Sequence, residues 1–349
     1  MSVNTAAKPL DASLQYWKII EADFPSKSSL AEQIIFCLKY AVLAPSSHNS
    51  QPWLFKIVND DIELYADRRR ALSVIDPDDR ELIISCGATL FHLRTALRRF
   101  GYTFAVEPFP KPTDPDLLAV IHIGSKKRAT SEEKWFFNAI CQRHTSRMPF
   151  EKRLPAKELL DELVSNSNKE GACLDIVSED DRRNDLAKLI SQADRIQMAD
   201  KRFRRELAAW IHPNRSKSCD GLPGYSLGMG DLVSYFGPLV LRTFDLGDGR
   251  AAKDQELAAA SPILAVLGTE GDSALDWLAA GQALDRVLLR ACTDDIKASF
   301  LNQPIEVPEL REQLIKLLRI QYNPQLVLRF GYGSSPVPTP RRTVKEVLL

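Results

Sequence analysis

Two short segments carry side chains whose types and spacing could do chemistry. One reads Ala44-Pro45-Ser46-Ser47-His48-Asn49-Ser50-Gln51-Pro52-Trp53, and the other Arg143-His144-Thr145-Ser146-Arg147-Met148-Pro149-Phe150. In an extended chain, alternate side chains share a face. Arg143, Thr145 and Arg147 would then present two guanidinium forks around a hydroxyl. Guanidinium donors match phosphate oxygens two at a time, and each charge-assisted hydrogen bond is worth about 1.5–3 kcal/mol. Phosphate capture is therefore the chemistry this segment could do, and a solvated basic strand is the alternative. In the first segment, Ser46, Ser47 and Asn49 are turn formers that can equally satisfy their own backbone. A plain helix-to-strand connection is the bland reading. The combination of Pro45, Ser46, Ser47, Asn49, Gln51, Pro52 and Trp53 is far more specific than any one of them.

Regular elements must hold these segments in place. Ser28-Ser29 caps a helix running to Val42, with Leu30, Ile34, Ile35 and Leu38 at helical spacing. The first segment follows it, then strands over 54–58 and 62–66 joined by Asn59-Asp60-Asp61, a hairpin signal. A long apolar helix over 79–100 ends at Gly101, and a Pro-rich loop over 107–115 leads into a buried strand over 117–123. Residues 125–134 are charged and mark a boundary. Beyond them come a helix over 132–141, the arginine segment, a helix over 156–165, a strand over 174–177 and a helix over 180–211. Residues 213–259 loosen, with Asp220-Gly221-Leu222-Pro223-Gly224 and Gly228-Met229-Gly230. So long a stretch without clear periodicity is usually functional or mobile, for instance a lid. A strand over 263–268, helices over 274–294 and 309–318, and a strand over 324–330 complete the chain.

This reading predicts an N-terminal extension over 1–26 with one weak helix over 14–22, and two α+β units over 27–124 and 132–349. The order helix, motif, strand, helix, strand occurs in both units, which supports an internal duplication.

Composition narrows the function. Lys plus Arg equals Asp plus Glu at 46 each, which argues against a general nucleic-acid binder. The six cysteines form no C-x-x-C pair and read mostly as buried, inert thiols in a reducing cytosol. The five histidines show no metal spacing, so no metal is expected. Gly331-Tyr332-Gly333 and Gly228-Met229-Gly230 lack the rest of a dinucleotide fingerprint, and no Gly-x-Ser-x-Gly is present. Arg68-Arg69-Arg70 reads as a cluster holding acidic residues across a domain junction, or as a solvated run. The N-terminus has no apolar signal region. The longest apolar stretch, 257–268, is too short to span a membrane and contains Ser261-Pro262. A soluble, cytoplasmic protein that does not engage a membrane is expected.

Together the two segments resemble the halves of a flavin mononucleotide (FMN) site in the nitroreductase superfamily, and the chain resembles its double-length, Acg-type branch. The likeness runs from about Ser28 onward. It includes Ala66-Asp67-Arg68-Arg69-Arg70-Ala71-Leu72, Ile84-Ser85-Cys86-Gly87-Ala88, Ala280-Gly281-Gln282-Ala283-Leu284, Ser299-Phe300-Leu301-Asn302-Gln303-Pro304 and Pro340-Arg341-Arg342. It implies an α+β, nitroreductase-like fold of two fused halves forming a pseudo-dimer, each with a mixed β-sheet flanked by helices. FMN would lie where the halves meet. By this resemblance Arg143, His144, Thr145 and Arg147 contact phosphate, ribityl and ring edge. Pro45, Ser46, Ser47 and Asn49 close over the isoalloxazine, with Gln51 in the same turn. The backbone of Gln303, Pro304, Ile305 and Glu306 approaches flavin N5, and Arg341 and Arg342 reach the phosphate.

Two departures matter. Asn166-Ser167-Asn168-Lys169-Glu170 stands where a second Pro-Ser-Ser turn would be, and the first unit has no Arg-x-Thr-x-Arg. One FMN per chain follows from this complementary loss. Val307 replaces the Gly usual in single-length members, which weakens the N5 contact. The resemblance implies that NADH or NADPH reduces FMN, which then passes two electrons to a small nitroaromatic or quinone-like acceptor. The flavin carries that chemistry, so no catalytic side chain is expected. A monomer acting as a pseudo-dimer would suffice. The alternative is an FMN-sequestering or stress-related protein whose flavin is occluded beneath residues 213–259.

Overall fold

Asn59 and Asp60 both adopt left-handed backbone, at φ 49° and 70°. That is the conformation a two-residue hairpin needs to match the twist of its strands. They join β1 (Trp53–Val58) to β2 (Asp61–Ala66), paired antiparallel from Trp53↔Ala66 to Val58↔Asp61. The computed structural model containing this hairpin describes residues 12–349. The hairpin follows α1 (Leu30–Ala41), which opens on a reciprocal cap between Ser29 and Glu32. After it come α2 (Arg80–Arg99), β3 (Tyr102–Pro108) and β4 (Leu117–Lys126). The sheet order is β1-β2-β4-β3. Strand β3 replaces part of the expected Pro-rich loop: Tyr102, Phe104 and Val106 alternate along it, and Val106 pairs with Ile121.

The second sheet has the same layout. Helices α3 (Ser131–Ile140) and α4 (Lys157–Asn168) precede β5 (Cys173–Val177), followed by α5 (Asp180–Ala199) and α6 (Lys201–Ala209). A single helix was expected over 180–211. Asp200 divides it by leaving helical geometry and accepting the Arg202 N–H at 2.7 Å as a new N-cap. Two-residue strands β6 (Ile211–His212) and β7 (Leu222–Pro223) pair with each other. Helices α7 (Asp231–Thr243) and α8 (Gly247–Ala259) then fill the stretch that looked aperiodic. Pro238 inside α7, next to Gly237, reads as a helix breaker in the sequence and hides the helix there. Strand β8 (Ile263–Thr269), α9 (Ala274–Thr293), β9 (Lys297–Phe300), the short α10 (Gln303–Glu306), α11 (Pro308–Leu318), β10 (Asn323–Gly331) and α12 (Val344–Val347) follow. The order is β5-β8-β10-β9, so in both sheets the second and third strands in sequence flank one 20-residue helix, α2 or α9.

The ladders of both four-stranded sheets are antiparallel throughout. The expected mixed character is confined to isolated parallel bridges at the edges, Phe55↔Leu348 and Thr145↔Ala298. The former brings the chain's last residues back onto the first sheet, where Leu349 N–H donates to Phe55 O at 2.8 Å.

Each sheet buries apolar surface against helices. Trp53, Phe55, Ile62, Leu64 and Leu118 pack with α1, α2 and α3. Ala265, Leu267, Leu326 and Leu328 pack with α4 and α9, while Leu264, Val266 and Val327 on the opposite face pack with α5 and α11. The cysteines are less uniformly buried than expected: Cys37, Cys86 and Cys292 are buried, Cys141 and Cys219 partly so, and Cys173 is exposed. Residues 1–11 of the anticipated N-terminal extension lie outside the described residues. The remainder forms 3-10 turns at Ala12–Trp17 and Glu21–Asp23 instead of one helix. Among the described residues no helix is long and apolar enough to cross a membrane.

Candidate functional site

The first motif forms a strained turn. His48, Asn49 and Gln51 all have positive φ, at 51°, 55° and 52°, and each such non-glycine residue costs on the order of 1–3 kcal/mol and persists only where its surroundings over-determine it. Here they do. Asn49 Nδ2 donates to Gly221 O at 2.9 Å and Pro340 O at 3.1 Å, while its Oδ1 accepts from Arg341 at 2.8 Å. Gln51 Nε2 donates to Cys219 O at 2.8 Å, and Gln51 Oε1 accepts the Arg342 N–H at 2.7 Å. The Ser46 hydroxyl accepts the Gln51 N–H at 2.9 Å. The Ser47 hydroxyl donates to the Glu81 carboxylate.

Pro45, Ser46, Ser47, His48 and Asn49 line one wall of a cavity of about 1150 Å³. The N-terminal part of α2 adds Glu81, Ile84 and Ser85. Thr145, Arg147, Arg329, Thr339 and Arg341 line it as well, as do residues 299–303 and Glu306. Met198, Phe203, Leu207, Val233, Phe236 and Val240 give it an apolar side. Such a space suits a flat, partly apolar molecule carrying a few polar groups.

Four arginines in or beside it lack an ion-paired partner, whereas Arg195 and Arg250 on its wall pair with Asp248, Asp194 and Asp254. Arg143, Arg147, Arg329 and Arg341 form no ion pair with a carboxylate among the described residues. Arg143 and Arg341 converge on one acceptor, Leu43 O, at 3.1 and 3.3 Å. The Nε atoms of Arg143, Arg329 and Arg341 are buried without a partner. Burial, then the neighbouring Arg143 charge, holds the Arg341 guanidinium well below its ordinary range. Burial, then Arg143 and Arg341, pushes His144 down to about 3. Burial, then Arg250 and Arg147, does the same to His48, also to about 3. Like charges are thus gathered in a desolvated place where an anion would relieve their repulsion and fill their open donors.

Not every expected residue faces the large cavity. Arg143 and His144 line a small adjoining cleft. The segment after Cys141 is held by one bridge at Thr145 instead of a strand, so simple alternation of its side chains fails. Gln51 and Arg342 are buried away from the cavity. Arg342 donates to Gln51 O at 2.9 Å and Glu346 O at 2.7 Å and lies 3.6 Å from Asp67, buckling the tail to the turn. Gln303 and Glu306 reach the cavity, whereas Pro304 and Ile305 are buried behind them. The Ile305 and Glu306 amides do not point to a ligand: both donate to Asn302 O, at 2.8 and 3.1 Å, closing the α10 turn. Arg70 pairs with Asp220 across the chain, while Arg68 holds Asp79 and Asp116, and Arg69 holds Asp67.

Other wall residues were invisible to sequence reasoning. Glu81 and Arg329 look like ordinary charges on a helix and a strand, and only tertiary packing buries them. Trp17 donates Nε1–H to Thr339 O at 2.8 Å, and its ring meets His144 edge-on at 4.3 Å and Arg341 at 4.8 Å. A lone tryptophan in a polar extension was the one available signal.

The segment expected to be a lid is anchored at its base, through Asn49, Gln51 and Arg70. Tyr225 also donates to Pro338 O at 2.8 Å. Phe236 and Val240 of α7 line the cavity yet are themselves exposed, as are Leu232, Tyr235, Leu239 and Phe244 of the same region.

The chain is 30% identical over 334 residues to the Mycobacterium tuberculosis protein named "Putative NAD(P)H nitroreductase acg", covering 93% of this chain and 97% of that one. The chain belongs to the acg-type nitroreductase family. A second relative in that organism, "Putative NAD(P)H nitroreductase Rv3131", is 31% identical over 326 residues, covering 91% of each chain. No protein-family model matches the chain. Among solved structures, an FMN-bound nitroreductase of Bacteroides fragilis aligns at 13% identity and TM-score 0.37, covering 60% of this chain and 93% of that one. One from Desulfitobacterium hafniense aligns at 12% and 0.35, covering 59% and 92%. For this acg-type nitroreductase, the cavity between the Pro45–Gln51 turn, the arginines and α10 is the candidate active site.

Proposed function

We propose that this acg-type nitroreductase is an FMN-dependent oxidoreductase. NADH or NADPH would serve as donor, and a small nitroaromatic or quinone-like compound as two-electron acceptor. One observation carries the reading: Arg143 and Arg341 share a single carbonyl acceptor and form no ion pair with a carboxylate among the described residues, beside a cavity large enough for a tricyclic ring. The terminal phosphate of FMN supplies the missing anion. Arg143, His144 and Arg341 would hold that phosphate, Thr145 and Arg147 the polar chain and ring edge, and Pro45, Ser46, Ser47 and Asn49 would cover the ring. FMN bound there would supply two-electron hydride chemistry between a nicotinamide and an acceptor. The protein's part is to orient the ring, exclude water from one face and hold the phosphate.

In this reading residues 27–124 and 132–349 are two fused nitroreductase-like halves of a monomeric pseudo-dimer. The repeated strand order supports it, as does the packing of α2 on α9. Only one half carries the Pro-Ser-Ser turn and only the other the arginine segment, so one FMN per chain is expected. The relatives' names support the class of donor, and a cytoplasmic setting suits such a donor.

A second reading has a specific observation behind it. Helices α7 and α8 lie along the cavity, and a flavin covered by them would be stored more than used. Flavin extraction and anaerobic mixing decide between the readings. The oxidoreductase binds close to one equivalent of FMN, not FAD, and its flavin bleaches on adding NADH or NADPH. A bound flavin inert to both donors supports storage, and no bound flavin refutes both.

A further inference from the structure

Two carboxyl groups meet on the cavity wall. Glu81, in the first turn of α2, is 3% exposed. Glu306 closes α10, and its side chain lies in hydrogen-bonding contact with that of Glu81. Their surroundings differ. Glu81 accepts from the Ser47 hydroxyl and, at 3.4 Å, from Asn302 Nδ2, and its carboxylate lies 3.8 Å from the Arg80 guanidinium. The N-terminal end of α2 also favours a negative charge there. Glu306 receives one donor from outside the pair, Gln197 Nε2 at 2.6 Å. Asp76 also packs against the pair, accepting the Glu81 and Leu82 N–H groups at 3.0 and 2.9 Å, and burial, then the Glu81 charge, raises its own carboxyl to about 7. Two buried carboxyls in contact resist ionising together, so at rest such a pair keeps one proton between them. The environment sets its place: Glu81 has more donors around it, and Glu306 carries the proton. Burial and the Glu81 charge accordingly raise the Glu306 carboxyl well above its ordinary range.

We propose that the Glu306–Glu81 pair is a proton donor to the acceptor, delivering a shared proton from Glu306 to the acceptor oxygen as the acceptor takes up a hydride. The proposal rests on the FMN reading. For a quinone the step balances: the reduced cofactor provides a hydride, two electrons and one hydrogen, and Glu306 provides H⁺. The Glu306 O–H bond breaks, an O–H bond forms on the acceptor, and a hydroquinone results. The pair, left with both carboxylates charged, regains a proton from solvent before the next turnover. No acid was expected at this site, because the flavin was expected to carry the chemistry, with Ser47 covering the ring and the Glu306 backbone approaching N5, and Glu81 lies in neither motif.

The test has a readout that does not need the cofactor. Carbon-13 carboxyl spectra of flavin-free protein labelled at glutamate should show one glutamate titrating far above the others. That resonance should vanish in Glu306→Gln and move towards the ordinary range in Glu81→Gln. With FMN bound, Glu306→Gln should pass electrons to a quinone roughly 100- to 10,000-fold more slowly, a loss much larger than any change in its reduction by NAD(P)H. A parent with no raised glutamate, or a Glu306→Gln protein reoxidised by quinone at the parent rate, overturns the pair while leaving the cofactor reading intact. A parent that binds no FMN overturns the cofactor reading itself, and the delivery step with it.

Discussion

Gly87 of α2 and Gly281 of α9 touch backbone to backbone. A Cβ built on Gly87 would lie 2.3 Å from Leu278 O and 2.9 Å from the Gly281 Cα. One on Gly281 would lie 2.0 Å from Ile84 O and 2.8 Å from the Gly87 Cα. Each glycine is the eighth residue of its helix, and each meets the carbonyl three residues before the other. This reciprocal crossing sets the separation of the two helices, and through α2 it sets the depth of Glu81, Ile84 and Ser85 in the cavity.

Gly281→Ala should therefore destabilise the protein even though alanine is the better helix former. The propensity gain is about 1 kcal/mol. Overpacking costs about 1–3 kcal/mol, here near the upper end because backbone, not a flexible side chain, must yield. Urea unfolding should show a net loss of roughly 1–2 kcal/mol. Gly249→Ala, in open space on α8, should instead gain up to about 1 kcal/mol. Equal effects at the two sites would show that the crossing is not tight.

Arg143→Ala should weaken FMN binding about 10- to 150-fold, the equivalent of one charge-assisted bond of about 1.5–3 kcal/mol. The flavin-free protein should keep its circular dichroism, because the substitution also removes a buried charge that repels Arg341. Titration calorimetry with FMN is the measurement. Parent-like affinity would mean the phosphate sits elsewhere.

His144 makes a pH prediction with a definite sign. The folded state keeps it neutral down to about pH 3, whereas the unfolded chain protonates it from about pH 6.5. Between these values the unfolded state binds more protons, so His144 costs stability as pH falls through that window, by up to about 1.4 kcal/mol per unit. In flavin-free protein, His144→Gln should gain on the parent as pH drops from 6.5 towards 4. Parallel stability curves would place the imidazole in water.

Replacing residues 230–244 with a Gly/Ser linker removes α7 but leaves the base that holds Asn49 and Gln51. Faster flavin reduction by NAD(P)H and faster FMN loss are expected, because Phe236 and Val240 leave the cavity wall. Stopped-flow absorbance at matched flavin loading reads both. Unchanged rates in a folded variant would show that α7 covers nothing, and the storage reading would lose its basis.

The sequence by itself determined most of the core elements and the motif turn. Ser29 and Glu32 cap α1, Asn59 and Asp60 turn the first hairpin, and the apolar runs of α2, α9, β8 and β10 appear at the expected places, because these signals are local. The Pro45–Gln51 turn and the arginine segment were legible for the same reason: their residue types state their own hydrogen-bonding needs. Only the tertiary structure decided which of those groups meet. Gln51 and Arg342 spend their donors and acceptors on each other, and the Ile305 and Glu306 amides on Asn302. Arg143 and Arg341, nearly two hundred residues apart, share Leu43 O. Glu81 becomes a cavity residue because the Gly87–Gly281 crossing buries the start of α2. Burial, counter-charge and donor accounting depend on distances between remote segments, and no local pattern encodes them.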